Sequence, residues 1–177
     1  MMRNLTVFLI FLCAFSVSNA NSQEINSSIS QSADDLGAVA TSLPLPRFAS
    51  LKSDNVYVRA GPSMDYPIKW IYKKEGLPVE IVQEFDSWRK IKDDQGGVGW
   101  VHKILLTGKK TASINSADLP VAYNNLKMDR PMVKFEKGVI VSMEECQKLM
   151  CRVLFTPYEG WIEKKYLWGV YGSEIFK

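Results

Sequence analysis

The sequence is short of the side chains that most catalytic and metal sites require. Its 177 residues include one histidine, His102, and three cysteines, Cys13, Cys146 and Cys151. It contains no glycine loop of the phosphate-binding type and no zinc-ligand spacing. The 22 basic and 19 acidic residues leave a formal charge of +3, too small to indicate the basic patch of a nucleic-acid surface. We therefore expect no enzyme activity, no metal or other cofactor and no nucleic-acid partner.

Long apolar runs are also scarce, and the one that is present lies at the N-terminus. Arg3 precedes the almost unbroken apolar stretch Leu5–Val17, and Ser18-Asn19-Ala20 places small residues where a signal peptidase reads them. As a helix, that stretch rises only about 20 Å, short of the ~30 Å hydrocarbon core of a bilayer. The pattern favours a signal peptide, residues 1–20, over a retained membrane anchor. It predicts a periplasmic or secreted protein that meets the membrane only through this transient segment.

Large apolar side chains are sparse again between residues 21 and 47. Asn, Ser and Gln dominate Asn21–Ser32, while Pro44 and Pro46 favour extended backbone. So little apolar surface cannot offset the entropy cost of ordering the chain, which predicts a flexible linker over residues 21–47. A proline-rich ligand motif at Pro44 and Pro46 is the alternative.

From Leu51 onward, short β-rich runs alternate with turn residues. The predicted strands are Asn55–Arg59, Ile68–Tyr72, Pro78–Val82, Trp88–Lys92 and Val98–His102. Clusters of Gly, Pro and Asp separate them at intervals of about ten residues, and no stretch sustains an amphipathic helical repeat. The pattern predicts a small antiparallel barrel or sandwich.

The second half of the chain repeats the first at an offset of 61 to 64 residues. Trp88-Arg89-Lys90-Ile91 aligns with Cys151-Arg152-Val153-Leu154, and Gly99-Trp100-Val101 aligns with Gly160-Trp161-Ile162. Self-similarity that keeps its order indicates two copies of one supersecondary unit. We predict two barrels joined by the small, polar residues 111–117, with Trp100 and Trp161 filling their cores.

The motifs of the first copy resemble the bacterial SH3 domain. They are Val56-Tyr57-Val58-Arg59-Ala60-Gly61-Pro62-Ser63, Gly76, Trp88-Arg89-Lys90-Ile91 and Gly99-Trp100-Val101. A divergent second copy, with the ending Leu167-Trp168-Gly169-Val170-Tyr171 and the cysteine pair, resembles small exported proteins with tandem bacterial SH3 domains. The resemblance implies an all-β fold with SH3-like barrels at residues 48–110 and 118–172. It also implies modules that hold cell-wall or protein ligands and catalyse nothing.

Two cysteines, Cys146 and Cys151, follow the predicted signal peptide. An even count in an exported chain favours a disulfide bond between them. A metal-binding pair is the alternative, but it lacks further ligands because His102 lies in the other half of the sequence. The sequence therefore predicts a structural bridge across a short turn.

Aromatic side chains beside turns are the candidate ligand-binding residues. We predict that Tyr66, Trp70 and Trp88 line a shallow groove for an extended peptide or a glycan–peptide strand. Ordinary half-buried strand positions are the alternative for these rings. The function predicted is a non-catalytic cell-envelope binding module that contacts peptidoglycan or its peptides. The alternatives are an adaptor or inhibitor of an exported partner protein, and an accessory to a cell-wall hydrolase.

Overall fold

The computed structural model describes residues 43–177, which fold almost entirely into β-strands. The strands are β1 Arg47–Leu51, β2 Val56–Arg59, β3 Ile68–Tyr72, β4 Pro78–Phe85, β5 Trp88–Lys92, β6 Val98–His102, β7 Leu106–Thr107, β8 Thr111–Ile114, β9 Val121–Tyr123, β10 Pro131–Lys134, β11 Ile140–Cys146, β12 Met150–Phe155, β13 Tyr158–Glu163 and β14 Leu167–Trp168. Two 3-10 helices, Lys103–Leu105 and Lys164–Tyr166, complete the described structure. The predicted all-β class is confirmed.

The N-terminal predictions fall outside this region. The predicted signal peptide, residues 1–20, and most of the predicted linker, residues 21–47, precede the described residues. Within residues 43–177, no helix has the length and apolar character needed to cross a membrane.

The strands form two antiparallel sheets with the same topology. The first sheet has the order β3-β2-β6-β5-β4-β1-β7, and the second has the order β10-β9-β13-β12-β11-β8-β14. Adding seven to each strand number converts the first order into the second, so the described chain contains one topology twice. The sheets are open rather than the closed barrels predicted, because β7 and β14 are two residues long and pair only with β1 and β8.

Each sheet encloses its own apolar cluster. The first consists of Ala49, Leu51, Val56, Val58, Val79, Ile81, Ile91 and Val101. The second consists of Ala112, Ile114, Ala122, Phe135, Val141, Met143, Cys146, Cys151, Val153, Ile162, Leu167 and Val170. Side chains in these strands alternate between the enclosed and the outer face, as the pleat requires.

The two tryptophans assigned to the cores lie outside these clusters. Val101 and Ile162 point into the clusters, so the alternation places Trp100 and Trp161 on the outer faces. Trp100 is nevertheless buried there, whereas Trp161 is only half-buried. The burial of Trp100 agrees with the prediction of a core ring, although that ring lies on the outer face, whereas the prediction is wrong for the half-buried Trp161.

Strand β8 is buried on both of its faces. Ile114 belongs to the second apolar cluster, while Thr111 faces the first sheet. The Thr111 hydroxyl lies 2.6 Å from the Ser50 hydroxyl and donates to the Gly76 carbonyl at 2.6 Å. The predicted connector, residues 111–117, therefore begins as a buried strand. Its small polar side chains are explained by partners across the contact rather than by solvent.

An aromatic cluster extends the contact between the two sheets. The Phe48 ring lies edge-on to Trp168, with centroids 5.2 Å apart, and 4.7 Å from the Tyr171 ring. The Tyr171 hydroxyl donates to Glu80 Oε1 at 2.9 Å. The described residues accordingly belong to one compact unit.

The hairpins β4–β5 and β11–β12 have matching registers. Each hairpin contains one bulge. Counted from the bulge, the cross-strand pair Glu84 and Arg89 of the first hairpin corresponds to the pair Cys146 and Cys151 of the second. A pair of main-chain bonds supports the match. The Lys103 N–H donates to the Ser87 carbonyl, as the Lys164 N–H does to the Leu149 carbonyl, at 2.8 Å in both cases.

This register corrects the alignment of the two copies. Trp88 corresponds to Met150, one residue before the cysteine that the sequence aligned with it. The sequence alignment matched similar residue types in the two copies. The ladders instead align the two hairpins from their bulges, which shifts the match by one residue.

The two sheets therefore link the corresponding pair of residues in different ways, by an ion pair in the first and by a disulfide in the second. In the first, the buried Glu84 carboxylate lies 3.0 Å from Arg89 Nε and also pairs with Arg47. In the second, Cys146 and Cys151 form a disulfide, as predicted. Both arrangements tie β4 to β5, or β11 to β12, beside the turn that joins the two strands.

Replacing both cysteines by alanine should lower the free energy of unfolding by about 2 kcal/mol. The bridge spans a sequence separation of five residues, so its loss restores the conformational freedom of only a short loop in the unfolded chain. Urea unfolding of the oxidised protein and of the double variant measures the difference. Equal midpoints would show that the bridge contributes nothing to stability.

Candidate functional site

The structure places two of the three predicted ligand-binding rings, Trp70 and Trp88, in different clefts. Trp88 lies on the outer face of the first sheet, because Ile91 on the same strand points into the apolar cluster. Trp70 packs against that cluster from the enclosed side. Tyr66 lies in the loop between β2 and β3 and is largely exposed. Trp88 and Trp70 consequently line two different clefts rather than one groove.

The first cleft forms where β2, β5, β6 and the first 3-10 helix meet. Its volume is about 70 Å³, and we call it the Trp88 cleft; its lining residues are Tyr57, Arg59, Met64, Trp88, His102 and Leu105. Trp88 and His102 are direct cross-strand neighbours, and their rings meet edge to face with centroids 5.4 Å apart. Trp88 is only 7% exposed, so it forms the floor of the cleft.

A loop held by Arg59 makes one wall of the Trp88 cleft. Arg59 Nη1 donates to the Met64 carbonyl at 2.9 Å and to the Tyr66 carbonyl at 2.8 Å. Gly61 lies under the Tyr66 ring, where an added Cβ would stand 2.6 Å from ring carbons. The loop therefore needs glycine at this position to fold back along the sheet.

The accessible surface of the Trp88 cleft is mainly apolar. Tyr57 is 45% exposed and Met64 is 68% exposed, so both present side chain to solvent beside the buried Trp88. The guanidinium of Arg59 has five N–H donors, of which the loop carbonyls engage only the Nη1 group among the bonds found in residues 43–177. An apolar floor with one cationic donor can hold a peptide side chain and a neighbouring carbonyl or carboxylate.

The second cleft lies beside the turn between β5 and β6. It has a volume of about 500 Å³ and is lined by Trp70, Tyr72, Leu77, Asp93, Asp94, Gln95 and Gly97. The Tyr72 hydroxyl donates to Asp93 Oδ2 at 2.6 Å, and Asp93 Oδ1 accepts from the Gly97 N–H at 2.6 Å. Burial raises the pKa of the Tyr72 phenol above its usual value near 10, and the bond to Asp93 raises it further. The carboxylate thus orders the turn while the phenol remains protonated.

The histidine and the cysteines have structural partners. His102 Nδ1 accepts from the Ile104 N–H at 3.4 Å and so caps the first 3-10 helix. Both cysteines within residues 43–177 are in the disulfide. No three His, Cys, Asp or Glu side chains of that region come together as a metal site would require.

Five lining residues of the Trp88 cleft were not selected from the sequence: Tyr57, Arg59, Met64, His102 and Leu105. One signal for Tyr57 was available. Val56 and Val58 flank it in a short strand, so alternation predicts that Tyr57 faces outward. No local pattern places the β2–β3 loop, the start of β5 and the 3-10 helix side by side, because their approach depends on the sheet order.

Alkaline unfolding should test the environment of Tyr72. Since its pKa is higher in the folded than in the unfolded protein, the phenol stabilises the fold fully below about pH 10. This contribution is lost as the pH rises above that value. Between about pH 10 and 11.5, wild type should lose stability faster than Tyr72→Phe, by at most about 1.4 kcal/mol per pH unit.

Urea unfolding across that range measures the slope. Tyr158→Phe is the matched control, because Tyr158 is 46% exposed and should leave the slope unchanged. Parallel slopes for wild type and Tyr72→Phe would contradict the assignment.

Comparison with known proteins gives one family match. Residues 52–108 match the family described as bacterial SH3 domain. No curated protein gives a significant match to the chain. The match covers most of the first sheet and none of the second, whose family stays a prediction.

Two solved structures are weakly similar. They are NlpC1 and NlpC2 from Trichomonas vaginalis, at 11% and 12% sequence identity and a TM-score of 0.33 each. The matches cover 75% and 72% of this chain and 49% of each solved chain, so this chain spans about half the length of those proteins. TM-scores this low carry no argument about function. The family match and the first sheet together show that residues 52–108 are similar to the bacterial SH3 domain.

Proposed function

We propose that this protein is an exported, non-catalytic module of the cell envelope that binds peptidoglycan through its peptide strands. One observation carries the proposal: the region that matches the bacterial SH3 domain contains the Trp88 cleft on its outer face. The predicted signal peptide supports the location, since it would bring the chain to the compartment that contains peptidoglycan.

The dimensions of the cleft favour a small side chain as its occupant. The cleft has a volume of about 70 Å³, the smallest among the clefts described for residues 43–177, and it can take a methyl or another short apolar group. Stem peptides of peptidoglycan are rich in alanine, whose methyl group fits within this volume. Tyr57 and Met64 would cover the flanking peptide, and Arg59 would meet a carbonyl or carboxylate.

The buried floor explains why specificity can reside in a shallow site. Trp88 is fixed by its strand and by the edge-to-face contact with His102. A rigid aromatic floor loses little conformational entropy when a ligand binds, because its rotamer is already selected. The exposed rim, Tyr57 and Met64, supplies most of the area that a ligand can cover.

Sedimentation with purified peptidoglycan tests the proposal. Wild type should co-sediment at low and moderate salt, and Tyr57→Ala should weaken retention about tenfold by removing an exposed aromatic contact. Tyr158→Ala is the matched control, because Tyr158 is exposed to almost the same extent but lies on the second sheet.

Three outcomes would count against the proposal. Retention that is absent at both salt concentrations contradicts peptidoglycan binding, and equal losses for the two variants contradict the Trp88 cleft as its site. Crosslinking in intact cells that recovers one stoichiometric protein instead would favour the adaptor or inhibitor alternative.

A further inference from the structure

In the second sheet, the C-terminal residues 172–177 dock against the end of β11. The main chain of Phe176 exchanges two hydrogen bonds with that of Cys146, at 2.9 and 3.0 Å. Lys164 Nζ donates to the Glu174 carbonyl at 2.6 Å and to the Gly172 carbonyl at 3.3 Å. Beneath this tail, Lys164 is only 6% exposed.

Side-chain contacts complete the docking of the tail. The Glu174 carboxylate forms an ion pair with Lys110, and the Phe176 ring packs against the second apolar cluster. The Lys110 ammonium also lies 4.6 Å from the centre of the Phe176 ring. An acidic side chain and, two residues later, a large apolar one are therefore the features by which the tail is held. Residues two apart share one face of an extended strand.

The first sheet has cations at the corresponding positions. Lys103 begins the first 3-10 helix as Lys164 begins the second. Arg47 lies opposite Ile81 in the first sheet. Met143 occupies the place of Ile81 in the second hairpin, and its N–H donates to the main-chain carbonyl of Lys110. Arg47 and Lys103 are thus the counterparts of the two lysines that hold the tail.

At this place the first sheet has a groove of about 460 Å³. Arg47, Phe48, Arg89, Lys103 and Leu106 are among its lining residues, so it combines cations with apolar surface. It shares no lining residue with the Trp88 cleft. We call it the Lys103 groove.

The charges around the Lys103 groove favour an acidic occupant. Arg47 and Arg89 both form ion pairs with Glu84. Lys103 is exposed, in contrast to the buried Lys164, and its ammonium group has no bond or ion pair among residues 43–177. The exposed Lys103 ammonium therefore gives the groove a positive charge that an acidic ligand can pair with.

We propose that the Lys103 groove binds an extended peptide from a partner protein, with an acidic residue and a large apolar residue two positions apart. The ligand would lie as the tail does on the second sheet, with its carboxylate and main-chain carbonyls toward Arg47 and Lys103. Its apolar side chain would pack on Phe48 and Leu106. Recognition of this kind combines main-chain contacts with pockets for alternate side chains.

Titration with a labelled peptide tests the proposal. The probe is an N-acetylated peptide with the sequence of residues 172–177, added to the intact chain, whose own tail occupies the second sheet. It should bind saturably, and Lys103→Gln should weaken binding about tenfold, because a charge-assisted contact is lost. A peptide with Gln in place of its Glu should show a similar loss. Lys137→Gln, at an exposed lysine in the turn between β10 and β11, is the control and should change nothing.

Amide NMR shifts locate the bound peptide. Changes at Lys103 and Leu106 support the proposal, whereas changes confined to Cys146 and Lys164 would mean that the probe displaces the tail, which overturns it. So would the absence of saturable binding up to about 1 mM, or equal affinities of Lys103→Gln and Lys137→Gln. Because the Lys103 and Trp88 sites are separate, failure here leaves peptidoglycan sedimentation unaffected, and the reverse also holds.

Discussion

Strand β8 must satisfy two environments at once, and the arrangement of the rest of the described chain depends on this constraint. One face contributes Ile114 to the second apolar cluster, and the other places Thr111 against Ser50 and Gly76 of the first sheet. A buried hydroxyl without a partner would cost about 1–3 kcal/mol, so these bonds make the contact specific rather than merely close. The two sheets are therefore joined through a shared strand position rather than through a free connector.

The close approach also restricts the backbone around β8. An added Cβ on Gly169, whose φ is +126°, would stand 2.4 Å from the Thr111 carbonyl oxygen. Glycine is required there both by the conformation and by the contact. Phe48, Trp168 and Tyr171 then pack beside this point, which extends a polar contact into an aromatic one. Together, the polar and aromatic contacts hold the two sheets against each other.

The duplicated topology shows how far two copies can diverge while keeping their ladders. At one buried cross-strand position, the first sheet has Glu84 with Arg89 and the second has a disulfide. A buried ion pair must offset a large desolvation cost through good geometry, whereas a disulfide restricts the unfolded chain. The exchange also changes the neighbourhood. Arg47 pairs with Glu84, but its counterpart Lys110 pairs with Glu174 of the C-terminal tail.

The two sheets differ in the candidate binding surfaces that they present to solvent. The first sheet presents the Trp88 cleft and the Lys103 groove, and the second covers the counterpart of the Lys103 groove with its own tail. Met150 stands where the first sheet has Trp88, so the aromatic floor is particular to the first copy. Two copies of one fold thus present different chemistry to ligands.

Local patterns predicted the regular parts of this protein well. Strands β3, β5 and β6 match their predicted bounds, and β2 and β4 differ only at one end, because their alternating side chains and flanking turns are local signals. The cysteine bridge was predictable from the count of cysteines and the predicted export. Strands β1 and β8 were missed because both of their faces are buried, which removes the alternation that marks a half-exposed strand.

For the candidate sites, too, some features were predictable from local sequence and others were not. The sequence by itself determined the all-β class, the duplication, the disulfide and the choice of Trp88 as a candidate. Only the tertiary structure decided that Trp70 faces another cleft, that Trp161 lies outside the core, and that Lys103 and Arg47 border one groove. These relations join residues far apart in the chain. They follow from sheet order and ladder register, which no local pattern encodes.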